Sequence, residues 1–217
     1  MTAQENWASE TSRIIIDSRS FYTRTEGDPF YFSSGWASPV FIDCKKLISS
    51  PDARDTLVRM AIDRIAEALD VEHLDAVAGC ELTGVPFATL IADRLNKPLV
   101  LVCKKSKGFG RLAQFEGTFE PGARVLLIDD LATDGVSEST FRVTLERAEA
   151  EVLATFALID FNVFPTGHAM LSLAQLADVV RRAKNDGYLS AHEVGEIEGF
   201  MADAPAWSRR RGGIAAL

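Results

Sequence analysis

The fold of this chain is predicted by one stretch, Arg124-Val-Leu-Leu-Ile-Asp-Asp-Leu-Ala-Thr-Asp-Gly-Val-Ser137. Its apolar run over 125–128 has the length and composition of a buried strand. Asp129 and Asp130 follow, then a loop of small and polar residues, and then a segment with apolar residues at helical spacing. Ligands of open α/β sheets bind at the carboxyl ends of strands, and free N–H groups at a helix start attract phosphate. The stretch therefore predicts a sugar-phosphate site, with carboxylates for ribose hydroxyls or Mg²⁺ and backbone amides for the phosphate.

The segments around this stretch alternate between short apolar runs and helical patterns. Pro51 and Asp52 suit the first turn of a helix that we predict over 51–69. A second helix is predicted over 85–95, and buried strands over 74–78, 98–102 and 152–159. This alternation predicts an α/β fold, with a doubly wound and mostly parallel sheet flanked by helices.

The first fifty residues have a different pattern. Apolar residues at helical spacing predict an amphipathic helix over 6–18. The aromatic segments Phe21-Tyr22 and Phe30-Tyr31-Phe32 predict a β-hairpin or an irregular pair of strands, and residues 38–43 predict a third extended piece. We expect these pieces to form a small N-terminal hood, or flap, of short strands ahead of the main sheet.

The last fifty residues are predicted to be largely helical. One helix is predicted over 173–182, and Ser190 and Glu193 have the spacing of a capping box before another. The three arginines at 209–211 are predicted to lie in solvent, in a terminal tail. A chain of 217 residues can bury one substantial core. We therefore predict a single domain over 1–217, with the N-terminal helix and hood in 1–50, the core sheet in 51–165, and C-terminal helices and tail in 166–217.

Composition and charge exclude several classes of protein. The net charge of −8 argues against a nucleic-acid surface, because phosphate backbones favour basic faces. No apolar run reaches the ~18 residues of a membrane span, and the first residues lack the basic start and apolar core of a signal peptide. Cys44, Cys80 and Cys103 are odd in number and lack metal-type spacing, which predicts reduced thiols. We expect a cytoplasmic protein that binds neither nucleic acid nor membranes.

Four positive charges follow a predicted strand, in the stretch Lys104-Lys-Ser-Lys-Gly-Phe-Gly-Arg111. The two glycines prevent a regular helix and allow movement. A mobile basic loop at a strand end can close over a polyanion and exclude water. The alternative is a hydrated, lysine-rich surface loop, and the position directly after a strand favours the binding loop.

The two aspartates also admit other interpretations. Aspartates at a strand end can cap the next turn, or can bind a metal without catalysis. Acidic pairs after apolar strands occur in receiver domains and in dehalogenase-like phosphatases as well. Those classes require a suitably placed lysine or a second aspartate two residues later, and Leu131 stands at that later position.

Four motifs, in order, make the chain resemble the orotate phosphoribosyltransferases over nearly its whole length. The first, SGWASPVFID at 34–43, resembles the family's early SG..SP..-D stretch. The second, GCELTGVP at 79–86, is similar to its glycine-rich loop near the diphosphate. The third, at 104–110, is similar to its flexible catalytic loop, and the fourth, at 128–137, to its phosphoribosyl diphosphate (PRPP) motif. The resemblance implies a type I phosphoribosyltransferase fold.

The resemblance also implies a reaction and its partners. Orotate and PRPP would give orotidine 5′-monophosphate and diphosphate, with Mg²⁺ as cofactor, in pyrimidine nucleotide biosynthesis. Members of this family are dimers whose catalytic loop reaches into the neighbouring subunit's site. A homodimer that shares this loop across subunits is therefore expected.

Residue roles follow from the resemblance, position by position. The catalytic residues would be Lys104, Lys107, Asp129 and Asp130, and the two aspartates would hold the ribose hydroxyls directly or through the metal. The residues that bind PRPP would be these four together with Lys105, Leu131, Ala132, Thr133, Asp134, Gly135, Val136 and Ser137. Orotate would lie against Phe41, Ile42 and Thr133.

Six positions depart from the family's better-known pattern: Ser33, Thr83, Cys103, Phe109, Asp134 and Phe161. Cys103 stands where an arginine precedes the first loop lysine, and Phe161 stands where many members carry an arginine for the orotate carboxylate. Asp134 stands in the phosphate loop, where an alanine or threonine is usual. A carboxylate beside a dianionic phosphate costs energy unless it points away or meets a cation, and an outward side chain would do little harm. We expect weakened PRPP affinity and not its loss. Two alternatives stay open: a phosphoribosyltransferase for another base, and a catalytically weak paralogue that binds PRPP or a nucleotide.

Overall fold

The N-terminal residues form a helix and a hood built from two small sheets. The computed structural model describes residues 2–105, 114–164 and 170–216. Its first helix, α1, is Ala3–Asp17, and four strands follow: β1 (Phe21–Thr23), β2 (Phe30–Tyr31), β3 (Ala37–Ser38) and β4 (Val40–Ile42). Strand β1 pairs antiparallel with β4, and β2 pairs antiparallel with β3. The predicted pairing of the two aromatic segments with each other is therefore wrong, because each finds its partner in a later strand.

Two helices connect the hood to the central sheet. Helix α2 is a single turn, Lys45–Ile48, and α3 is Pro51–Ala68. Ser50 caps α3 by accepting a hydrogen bond from the main-chain N–H of Ala53, and Pro51 occupies the first turn. The predicted helix over 51–69 is confirmed.

The central sheet has six strands within the described residues. They are β5 (Ala76–Cys80), β6 (Leu99–Val102), β7 (Phe115–Glu116), β8 (Arg124–Ala132), β9 (Glu151–Asp160) and β10 (Met170–Gln175). Their order across the sheet is β10-β9-β8-β5-β6-β7, and all neighbours run parallel except the edge pair β6 and β7. Helices α4 (Gly84–Leu95) and α5 (Val136–Arg147) connect parallel strands. The predicted doubly wound, mostly parallel sheet is confirmed.

Helices cover both faces of this sheet because alternate residues of its strands point to opposite sides. In β8, Leu126 and Ile128 join the cluster of buried residues that includes α1, α3 and α4. Val125 and Leu127 join the opposite cluster, which includes buried residues of α5. The continuous apolar run of β8 therefore reflects burial on both faces.

Strand β8 extends beyond its predicted end. Its pairing with β9 continues through Asp129, which lies opposite Ala157, as far as Ala132, which lies opposite Asp160. The two aspartates therefore lie within the last part of the strand and do not follow it. Pairing with β9 extends the strand beyond the apolar run from which its end was predicted.

The C-terminal residues contain one further strand and three helices. Residues 173–175, predicted to be helical, complete β10 in the central sheet, and α6 (Leu176–Asn185) begins after them. The predicted capping box is confirmed at the start of α7 (Ala191–Ala202), where Ser190 and Glu193 bond each other's main-chain N–H groups.

The predicted solvated tail is instead a helix, α8 (Ala204–Arg210). Trp207 of α8 is 2% exposed and packs edge-on against Phe200, with ring centres 5.5 Å apart. Arg209 and Arg210 are exposed as predicted, but Arg211 donates hydrogen bonds to Glu196 and to the carbonyl of Thr25. Organisation as one domain with three parts stays a prediction. No helix in the described ranges combines the length and apolar character that a bilayer span requires.

The close contact between α4 and β8 yields a test of the fold. A Cβ atom added to Gly84 would lie 2.6 Å from the carbonyl oxygen of Ile128 and 3.0 Å from Cα of Asp129. We expect Gly84→Ala to lower the free energy of unfolding by about 1–3 kcal/mol, because backbone must move to admit the methyl group. Urea denaturation measures this change. Gly195→Ala is the control, since nothing lies within 4 Å of an added Cβ there, and an equal loss in both variants would contradict the close packing.

Candidate functional site

A cavity of about 510 Å³ lies between the hood and the carboxyl ends of the sheet strands. The hood contributes Tyr31 to Ser33 and the segment from Phe41 to Lys45. The sheet side contributes residues 81–83 after β5, Lys104 after β6, the end of β8, and the first turn of α5. The site therefore forms where two parts of the chain meet, at the strand edge at which α/β sheets bind ligands.

Most of the predicted site residues line this one cavity. They are Phe41, Ile42, Lys104, Asp129, Asp130, Leu131, Thr133, Asp134 and Ser137. Four others do not line it: Lys105, Ala132, Gly135 and Val136. Lys107 lies outside the residues that the structure describes. The structure thus brings the predicted acidic pair, phosphate loop and base-contacting hood residues together.

Asp129 is buried and Asp130 is half-buried, and their environment opposes full ionisation. Asp129 is 7% exposed, and burial raises the pKa of its carboxyl, with a further increase from the negative charge of Asp130. Burial also raises the pKa of Asp130, while the positive charge of Lys45 acts in the opposite direction. One oxygen of Asp129 accepts a hydrogen bond from the main-chain N–H of Asp130, at 2.9 Å. The pair is therefore suited to accept hydrogen bonds from hydroxyl groups or to receive a cation.

The donor set fits a magnesium ion that shares its ligands with a substrate. No group of three or more His, Cys, Asp or Glu side chains in the described parts of the chain has the arrangement of a metal site. Magnesium commonly binds through one or two carboxylates together with substrate phosphates and water. Asp129 and Asp130 provide those carboxylates, and their buried charges favour a cation beside them.

The phosphate loop, residues 133–137, turns directly into helix α5. Gly135 has a φ angle of 77°, a left-handed conformation that glycine adopts without strain, and α5 begins at Val136. The first N–H groups of a helix have no partner within it and can bind an anion. This geometry suits a phosphate group, as the sequence predicted.

The weaker PRPP binding expected from Asp134 in this loop stays a prediction. The Asp134 side chain is buried, with 9% of its surface exposed. One carboxylate oxygen accepts a hydrogen bond from the N–H of Val136, at 3.1 Å, and the other accepts one from the hydroxyl of Ser34 in the hood. The side chain therefore bonds the loop to itself and to the hood. These bonds give Asp134 a structural role that the sequence did not indicate.

Two further departures from the family pattern lie beside the cavity. Phe161 is buried and contacts Phe32 edge-on, with ring centres 5.9 Å apart, and it does not line the cavity. The main-chain N–H of Cys103 donates to the carbonyl of Gln114, just after β6 ends. Lys104, which follows, places its ammonium 5.9 Å from the ring centre of Phe141. One of the predicted lysines therefore reaches the cavity wall.

The lining residues that sequence reasoning did not predict as site residues include Cys44, Lys45, Glu138 and Phe141. The thiol of Cys44 donates to the carbonyl of Asp130, at 3.7 Å. Lys45 and Glu138 carry charges that act on the acidic pair. Lys45 follows the early hood motif by two residues, and Glu138 resembles any acidic residue in the first turn of a helix. The local sequence around Lys45 or Glu138 does not distinguish either residue from an ordinary charged residue on the surface.

Glu138 is the most unusual of these residues. It is 2% exposed, and its Oε1 atom has no hydrogen-bond partner within the described part of the chain. Burial raises its pKa to about 7, and the negative charges of Asp160 and Asp134 contribute to the increase. A carboxyl group with a pKa near neutral pH therefore lies in the first turn of the helix that follows the phosphate loop.

Comparisons with known proteins agree on one family. Residues 53–163 match the family model described as a phosphoribosyl transferase domain. An orotate phosphoribosyltransferase from Rhizobium rhizogenes is 40% identical over 197 residues, which cover 87% of this chain and 85% of that protein. One from Jannaschia sp. is 35% identical over 213 residues, 94% of this chain and 93% of that protein. The crystal structure of orotate phosphoribosyltransferase from Aeropyrum pernix is similar with a TM-score of 0.68, at 25% identity, over 80% of this chain and 99% of that one.

The buried Glu138 predicts a specific dependence of stability on pH. Its pKa is about 7 in the folded chain, against an ordinary value of 4.5. As pH rises between these values the unfolded chain loses this proton first, so stability falls and the loss is complete above pH 7. Glu138→Gln stays neutral, and we expect it to gain roughly 3 kcal/mol relative to wild type between pH 4 and pH 8.

Urea denaturation of both proteins across this pH range measures the difference. Glu146→Gln is the matched control, because Glu146 is exposed on the same helix. Parallel pH curves for wild type and Glu138→Gln would contradict the raised pKa.

Proposed function

The chain belongs to the orotate phosphoribosyltransferases of the phosphoribosyl transferase family, and we propose that the cavity between its hood and its sheet is the active site. The reaction transfers phosphoribosyl from PRPP to orotate and gives orotidine 5′-monophosphate and diphosphate, in pyrimidine nucleotide biosynthesis. One observation carries the assignment of the site. The acidic pair, Asp129 and Asp130, lies in the last part of a strand that leads directly into a loop of small residues at a helix start.

The acidic pair suits the hydroxyl groups of a ribose phosphate, and the loop at 133–137 suits its phosphate. In this proposal Asp129 and Asp130 accept hydrogen bonds from the ribose hydroxyls, and the loop at 133–137 surrounds the 5′-phosphate. Main-chain N–H groups bind the phosphate, which is favourable at a helix start. Leu131 and Ala132 join these two parts, so they fix the spacing between the carboxylates and the loop.

The acidic pair would also hold a magnesium ion together with oxygens of PRPP. When bound, the ion neutralises negative charge on the diphosphate and the carboxylates. The charges of Asp129 and Asp130 orient the ribose in either case. Buried carboxylates with raised pKa values gain most from a neighbouring cation, which supports this part of the proposal.

The lysines would stabilise the charge that develops on the departing diphosphate. Breaking the anomeric C–O bond leaves a sugar with oxocarbenium character while negative charge grows on the leaving group. Positioned cations in a site that excludes water favour this charge separation. Lys104 lines the cavity, and Lys105 and Lys107 are proposed to act with it. A homodimer, in which this loop serves the neighbouring subunit, and a cytoplasmic location both stay predictions.

Orotate would bind on the hood side of the cavity. Phe41 and Ile42 line that side together with Tyr31 and Phe32, and Thr133 lines the same cavity from the loop after β8. Flat aromatic and apolar surfaces suit a pyrimidine ring. Lys45 lines the same cavity and brings a positive charge there. Phe161 stands where many members of the family carry an arginine for the orotate carboxylate. We propose that Lys45 provides the positive charge for this carboxylate instead.

Removing the proposed catalytic groups should abolish most turnover. We expect Asp130→Asn and Lys107→Ala each to lower kcat by roughly a hundredfold or more, because each removes a positioned charge from the reacting centre. Production of orotidine 5′-monophosphate from orotate and PRPP measures this. Asp63→Asn, an exposed change on α3, should leave turnover unchanged. Normal turnover in both site variants would reject the assignment of these residues.

A competition assay tests the identity of the base and the weak-paralogue alternative together. Orotate, uracil and purine bases are offered at equal concentration with limiting PRPP and saturating Mg²⁺. We expect orotate to be consumed preferentially, since a cation lies in the base side of the cavity and uracil lacks the carboxylate. Preference for another base would reassign the substrate. Tight binding of PRPP with no product from any base would identify a binding paralogue.

A further inference from the structure

The C-terminal end of the chain holds one turn of the hood in position. We call residues 208–214 the C-terminal strap and residues 32–37 the hood turn. The hydroxyl of Ser208 accepts a hydrogen bond from the N–H of Ala37, at 3.0 Å, and donates one to the carbonyl of Ile214, at 2.6 Å. The N–H of Ile214 donates to the carbonyl of Gly35, at 3.1 Å. The strap is therefore bonded to both ends of the segment from Gly35 to Ala37.

The contact between strap and hood turn is tightly packed. Ser208 is fully buried. A Cβ atom added to Gly213 would lie 2.4 Å from the hydroxyl oxygen of Ser208, 2.6 Å from the N atom of Ala37 and 2.8 Å from its Cβ. At the edge of the contact, the hydroxyl of Tyr31 donates to the carbonyl of Arg211, at 3.0 Å. The hood turn therefore cannot shift without displacing the strap.

The hood turn also contacts the phosphate loop, through the side chain of Ser34. The hydroxyl of Ser34 donates a hydrogen bond to one carboxylate oxygen of Asp134. The other oxygen of Asp134 accepts the N–H of Val136. Ser34 thus holds in place the carboxylate that bonds the loop to itself. Strap, hood turn and phosphate loop form a continuous series of contacts.

We propose that Ser34 and Ser208 are positioning residues for PRPP binding, and that the C-terminal strap sets the conformation of the phosphate loop through the Ser34 to Asp134 hydrogen bond. This inference rests on the proposed function, because it assigns the loop to the 5′-phosphate of PRPP. Neither serine touches the reacting atoms in this proposal. Their loss should weaken PRPP binding more than it slows the chemical step.

Kinetic constants of four variants test the inference. We expect Ser34→Ala, Ser208→Ala and Gly213→Ala each to raise the KM for PRPP roughly fivefold, with a smaller change in kcat, because each removes or displaces at least one hydrogen bond of this series. Ser34→Thr keeps the hydroxyl and should restore most of the affinity. Gly199→Ala on α7 is the matched control for Gly213→Ala, since an added Cβ meets nothing within 4 Å there.

A double-mutant cycle separates positioning from general loosening. Ser208→Ala should raise the KM for PRPP in the wild-type background but hardly at all in the Ser34→Ala background, because coupled residues are not additive. Thermal unfolding is measured in parallel, since a merely structural strap would lower the unfolding temperature equally in both backgrounds. The inference is overturned by an unchanged KM in Ser208→Ala and Gly213→Ala, or by the same increase in both backgrounds.

Calorimetric titration with PRPP distinguishes failure of this inference from failure of the proposed function. If wild type binds PRPP but forms no product from orotate, the proposed reaction fails, and the dissociation constants of the same variants still test the strap. If wild type turns over orotate and the variants bind PRPP normally, the strap inference fails alone. If wild type does not bind PRPP, both are overturned.

Discussion

Two neighbouring carboxylates, the buried Asp129 and the half-buried Asp130, lie in the last part of a central strand, and the rest of the site depends on this constraint. Burial and mutual repulsion raise the pKa of Asp129, so the pair is stable as an ionised site only beside a cation or hydrogen-bond donors. The pairing of β8 with β9 extends past these residues, which holds both side chains on a rigid backbone. A ligand with hydroxyl groups and an accompanying cation meets the requirement of the site.

The cavity around this pair is assembled from segments that are distant in sequence. The sheet provides the carboxylates and the phosphate loop, and the hood provides an aromatic and apolar wall. The hood consists of four strands of two or three residues, too short to be stable alone. Its conformation therefore depends on packing against the sheet helices and on the C-terminal strap. This dependence explains why a C-terminal segment far from the reacting atoms bears on the geometry of the site.

Acidic side chains and main-chain hydrogen-bond donors lie close together around the phosphate loop. Acidic groups, among them Asp134, Glu138 and Asp160, lie beneath or within the phosphate loop, and burial raises the pKa of Glu138 and of Asp160. The loop offers main-chain N–H groups, and its own carboxylate is engaged by Ser34 and Val136. Hydrogen bonding of the carboxylate and protonation of Glu138 both reduce repulsion of a phosphate. The loop can therefore accommodate Asp134 at a position where the family usually has alanine or threonine.

The sequence by itself determined four strands of the central sheet (β5, β6, β8 and β9), the helices that connect them, the loop of small residues at 133–137 and the acidic pair. Apolar runs, capping residues such as Ser50, and the glycine at 135 are local signals that act within a few residues. Only the tertiary structure decided the pairing of the hood strands, the helical C-terminal end, and the burial of Glu138. Ser34 and Asp134 are 100 residues apart, and Ala37 and Ser208 are 171 apart. Such contacts depend on how distant segments pack. Local periodicity and turn residues therefore cannot predict them.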